Sequence, residues 1–140
     1  RPRRITEDKV ELSTEAGDMA APTKDFQERM AALRHDFIDG LAGRIAEIDG
    51  LAVAIAGNPA AAESLEKIAA LRALVHKLAG AGGMFGHAAI GDAAAAAEQA
   101  CDEILERKSA TAAAPVADRW RRVETRLQQL RRAVDAAKTG

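Results

Sequence analysis

The sequence predicts an all-α fold, an antiparallel up-down-up-down four-helix bundle, with room for a short extra N-terminal helix. Three observations predict it. Apolar residues recur at alternating spacings of three and four through four long segments, the period of a helix with one buried stripe. Those segments are divided by short runs rich in Gly, Pro and Ser. The composition is rich in Ala, has no Tyr and only 3% aromatic residues, which suits close helix packing better than sheets.

Taken in order, residues 1–22 read as a flexible tail: Arg1-Pro2-Arg3-Arg4 is basic, and Glu7 to Asp18 is polar without a sustained period. The bundle spans 23–138. Thr23 or Asp25 can cap the first helix. From Lys24 to Ala56 the stripe is Phe26, Met30, Leu33, Phe37, Leu41, Ile45, Ile48, Ala52 and Ile55. Gly40, Gly43 and Gly50 weaken it, so a bend or a separate short first helix is expected there. Gly57-Asn58-Pro59 is a stop, with Gly as the C-terminal cap. A second helix runs from Ala60 to Met84, with a corner at Gly86-His87. The third, Ala88 to Arg107, puts Ile90, Ala94, Ala97, Cys101 and Ile104 on one face. Ser109 to Pro115 is a loop. The fourth, Val116 to Lys138, carries Val116, Trp120, Val123, Leu127, Leu130 and Val134, with Asp118, Arg119 and a set of arginines on its solvated side. Four stripes of this length bury only against one another.

The 140 residues suffice for one domain with one core. Twenty basic against twenty-one acidic residues leave a net charge of −1, which implies no nucleic-acid partner. No apolar run reaches the roughly 18–20 residues of a membrane span, and no signal-peptide core is seen, so no membrane partner is expected. The single Cys101 forms no internal disulfide, which suits the reducing cytoplasm.

The second helix sorts its residues by face. Ile68, Leu71, Val75, Leu78, Gly82 and Phe85 make a core seam, widened by Leu74. His76 points the opposite way, among Ala69, Arg72, Ala73, Ala79, Gly80 and Gly83. An outer face normally carries long charged side chains, and each Gly inside a helix costs about 0.8–1 kcal/mol relative to Ala. A bare patch around a histidine suggests that something large must come close to the ring. On spacing alone, a functional and an incidental His76 both remain open.

Three other chemistries fit poorly. Zinc needs three or four converging ligands, and the positions three and four residues from His76 on its own helix hold none. Gly80-Ala81-Gly82-Gly83 follows no strand and matches no phosphate-binding fingerprint. Acid–base hydrolysis needs a pocket and a second group on the same face, and neither is expected. His35, between Arg34 and Asp36, reads as a surface residue, and His87 as a turn or capping residue.

The run His76-Lys77-Leu78-Ala79-Gly80, followed by Met84-Phe85-Gly86, resembles the signature of histidine-containing phosphotransfer (HPt) domains, whose pattern is His-x-Leu-Lys-Gly and then a hydrophobic residue and Gly. The resemblance covers about Lys24 to Lys138, and its specific part is Val75 to Gly86. It implies that His76 is the phospho-acceptor of a phosphorelay, receiving the group from a receiver-domain aspartate and passing it to another receiver. It further implies a cytoplasmic, monomeric protein of bacterial-type two-component signalling. Its partners would be response-regulator receivers or a hybrid histidine kinase. It would hold no kinase or nucleotide site, no metal and no cofactor of its own, with Mg²⁺ on the receiver. The family's usual Lys three residues after the histidine is Ala79 here. Arg72, about 40° from His76 on the wheel, and Lys77, about 100° away, are the candidates to replace it. Ala73, Ala79, Gly80 and Gly83 complete the expected phosphate-side or docking face. The competing reading is a non-catalytic interaction module that docks partners through the same Ala/Gly face.

Overall fold

The computed structural model describes residues 23–106 and 115–139. Among them are four helices and no strand: α1, Lys24–Ala56; α2, Ala62–Met84; α3, Ala88–Leu105; and α4, Val116–Thr139. The expected tail at 1–22, with anything helical in it, lies outside the described residues, as does most of the expected 109–115 loop.

Thr23 caps α1, its Oγ1 accepting from the Phe26 N–H at 3.0 Å. The helix runs unbroken through Gly40, Gly43 and Gly50, so no separate first helix forms within Lys24–Ala56. A Cβ at any of the three would meet nothing within 4 Å; they weaken propensity without creating a steric reason to break. The described residues fall into two compact units that divide this helix between Leu33 and Arg34. In the first, Phe26 and Leu33 remain about half exposed. In the second, Phe37, Leu41, Ile48, Ala52 and Ile55 of the stripe are buried and Ile45 is half-buried.

α1 stops where Gly57-Asn58-Pro59 predicts, but not by a left-handed cap, since Gly86 is the one positive-φ glycine among the described residues. α2 starts at Ala62 instead of Ala60, because the Asn58 carbonyl gathers two donors, the Ala61 N–H at 3.1 Å and the buried Ser64 hydroxyl at 2.6 Å. These bonds hold 58–61 as a turn and delay the first helical residue.

The core of the second unit is continuous: Ile68, Leu71, Val75 and Leu78 of α2, Ile90, Ala94, Ala97, Cys101 and Ile104 of α3, and Trp120, Val123, Leu127, Leu130 and Val134 of α4 join the α1 residues. Phe37 of α1 stacks its ring on His87 at 5.6 Å and tilts against Phe85 at 5.5 Å, closing the end of the bundle at the α2–α3 corner. Toward the C-terminal end of α1, Asp49 accepts from Arg131 of α4 at 2.8 Å. One expectation on α4 fails. Arg119 is not on the solvated side but buried, 8% exposed, beside Trp120. A long aliphatic stem can lie along apolar neighbours in a way that its charge conceals from a hydrophobic pattern.

Candidate functional site: the histidine face of the α2–α3 pair

Two glycines set the geometry. A Cβ on Gly82 would lie 2.7 Å from the Gly91 nitrogen and 2.9 Å from its Cα. One on Gly91 would lie 3.1 Å from the Ala79 carbonyl oxygen and from the Gly83 nitrogen. Backbone therefore touches backbone where α2 crosses α3. The corner between them is short: Gly86 takes φ +80°, a value glycine adopts without strain, and the His87 N–H bonds the Gly82 carbonyl at 2.8 Å. His87 thus starts α3 with its backbone and its stacked ring, not with a side-chain cap.

From that contact the helices run antiparallel at about 1.5 Å per residue. Going back six residues from Gly82 reaches His76, and going forward seven from Gly91 reaches Glu98. Both lie about two turns from the crossing, so they stand level. Another turn brings Arg72 level with Asp102. The observed bonds follow this ladder. His76 Nδ1 lies 3.1 Å and 3.0 Å from the Glu98 carboxylate oxygens. Arg72 donates from Nε to Asp102 at 2.6 Å and from a terminal nitrogen to Glu98 at 2.9 Å. The hydrogen bond and charge of Asp102, joined by the charge of Glu98, hold the guanidinium more firmly protonated than usual.

The expectation that no second acid–base group shares the face of His76 does not hold: the neighbouring helix brings the Glu98 carboxylate to His76 and Asp102 to Arg72. The two acids are four residues apart and flank the buried stripe of α3, Glu98 one turn on from Ala94. That spacing is a signal the sequence carries, but only helix pairing shows that it meets His76.

The rest of the face is open. The His76 side chain is 64% exposed, against 17% for Glu98. Ala73, Lys77, Gly80 and Gly83 are exposed, and a Cβ on Gly80 or Gly83 would find nothing within 4 Å. Ala79 differs from expectation: it is half-buried against the core, because its carbonyl is drawn into the Gly91 contact. Elsewhere His35 pairs with Asp39 at 3.1 Å, and with Asp36 these exposed side chains bring potential ligand atoms within 4.8 Å of one another.

A carboxylate only accepts hydrogen bonds, so a neutral His76 bonded to Glu98 carries its proton on Nδ1. Nε2 then keeps its lone pair. It has no hydrogen-bond partner among the described residues. A nitrogen of this kind on an open helix face is accessible to the surface of a second protein.

The family model described as "Hpt domain" matches residues 25–139. The chain belongs to the Hpt domain family, whose members serve phosphotransfer in phosphorelays and interact with receiver domains. No curated protein and no solved structure matches it. Among the described residues, no helix is long and apolar enough to cross a membrane.

Proposed function

We propose that His76 is the phospho-acceptor, taking the group from a receiver aspartate and passing it to another receiver. The observation that carries this reading is the Glu98 contact, which leaves an exposed Nε2 lone pair in the middle of the bare face. Nε2 attacks the phosphorus of the aspartyl phosphate. The N–P bond forms, the P–O bond to the aspartate breaks, and the aspartate leaves as a carboxylate. The Nδ1 proton stays in place, so the ring becomes a phospho-imidazolium whose positive charge faces Glu98. Return transfer reverses each step.

The receiver is expected to bring its own Mg²⁺ and lysine. This chain contributes the ring, its orientation by Glu98, and clearance at Gly80 and Gly83. In this reading the domain works as a cytoplasmic monomer of a bacterial-type relay, between response regulators or with a hybrid kinase. The test is incubation with a phosphorylated receiver. Acid-labile, alkali-stable phosphate is expected on the wild type and none on His76→Gln. The variant should keep wild-type helicity, since an exposed substitution shifts stability by no more than about 0.5 kcal/mol. Full labelling of His76→Gln would refute the assignment, and a wild type that binds receivers without accepting phosphate would favour the docking module.

A further inference from the structure

The ion-pair ladder beside His76 contains one cation, and its bonding is uneven. Arg72 Nε is held by Asp102 at 2.6 Å, whereas only a terminal nitrogen reaches Glu98, at 2.9 Å. The same Glu98 oxygen contacts His76 Nδ1 at 3.0 Å, so a single atom separates the guanidinium from the ring. A guanidinium has five N–H donors in a planar fork. The two bonds to Asp102 and Glu98 leave the others free. The side chain is 39% exposed, so the outer end of the fork is not packed in.

Phosphorylation changes the charges this ladder must balance. The phosphoryl group adds about −1.5 to −2 and three acceptor oxygens. The ring gains a positive charge in the same step. Glu98 then has a new partner, the imidazolium it already touches, and Arg72 is no longer needed to neutralise it. Lys77, exposed on the edge of the helix, makes no ion pair among the described residues and is not on the ladder. Position 79 offers only a methyl group.

We propose, resting on the reading of His76 as phospho-acceptor, that Arg72 is a pivoting phosphate clamp. Its Nε stays on Asp102 while its terminal nitrogens turn from Glu98 to the phosphoryl oxygens on His76 Nε2. One set of pairs, Arg72–Glu98 beside a neutral ring, becomes two, Arg72–phosphoryl and imidazolium–Glu98. Asp102 is the hinge. The clamp stabilises phosphohistidine against aspartyl phosphate and so sets where the phosphoryl group rests between the two proteins.

The experiment is a ³¹P NMR titration of the phosphorylated domain, with the phosphoryl partition against one receiver measured in parallel. Relative to wild type, Arg72→Ala is expected to titrate its phosphoryl group at higher pH and to shift the partition about tenfold toward the receiver, the equivalent of one lost charge-assisted hydrogen bond. Arg72→Lys should restore only part of both, since one ammonium nitrogen cannot hold Asp102 and the phosphoryl group as the fork does. If Arg72→Ala melts too early to read, Arg72→Gln, which can keep the bond to Asp102, should show the same shift. A wild type labelled on His76, with Arg72 variants matching it in titration and partition, would overturn the clamp alone and leave Arg72 as a tie between helices. Failure to label His76 at all would overturn the phospho-acceptor reading and the clamp with it.

Discussion

Gly80 and Gly82 are two residues apart on one helix and exist for opposite reasons. At Gly82 an added Cβ would collide with the α3 backbone at Gly91; at Gly80 it would meet nothing. Gly82, with Gly91, lets two helices approach until backbone touches backbone, and the register of that contact aligns His76 with Glu98 and Arg72 with Asp102. Gly80, with Gly83, leaves room outside for a partner. A glycine-rich stretch is thus not a single feature: one face is closed by the fold and the other kept open for a second molecule.

The difference can be broken from the inner side first. Gly82→Ala should destabilise the domain by about 2–3 kcal/mol, because overpacking against backbone leaves no flexible side chain to yield. Thermal melts check this, and an unchanged melting temperature would mean that the helices do not cross at Gly82. Second, the same inner side should be sensitive to alkali. Burial, followed by the charge of Asp102, raises the Cys101 thiol to about 12 from 9.0. The folded protein therefore keeps the proton that the unfolded chain releases near pH 9. The associated stability is fully present below pH 9 and falls as pH rises toward 12. By pH 10 the loss should be on the order of 1 kcal/mol, at 1.4 kcal/mol per unit. Denaturant melts of wild type and Cys101→Ala should diverge over this range, the variant losing less; parallel curves would place the thiol in contact with water. Third, and smallest in stability, Gly80→Gln should stabilise the isolated domain by about 0.5–1 kcal/mol, since Gly is a poor helix residue and the site is open. It should nonetheless slow phosphotransfer, the new side chain standing where a receiver must approach. Lower stability with wild-type transfer would reverse the assignment of the two faces.

Much of this was legible beforehand because a helix announces its buried face by period. The seam Ile68, Leu71, Val75, Leu78 and Gly82 is buried throughout, and the same phase leaves His76, Gly80 and Gly83 outside. Period reports a burial pattern, not how far packing extends along a helix. Phe26 and Leu33 continue the α1 stripe perfectly and are still half exposed. Arg119 errs the other way, as its charge hid a buried stem.

The chain alone determined four amphipathic helices, their stops, and the face on which His76 stands, because each depends on residues within a few turns of one another. It also carried the motif that the family match supports. Only the tertiary structure decided what His76 touches. Glu98 lies 22 residues away, and its carboxylate meets the ring because two glycines on different helices fix a crossing point and a register. Local periodicity contains no information about register between helices; that is settled where backbones touch.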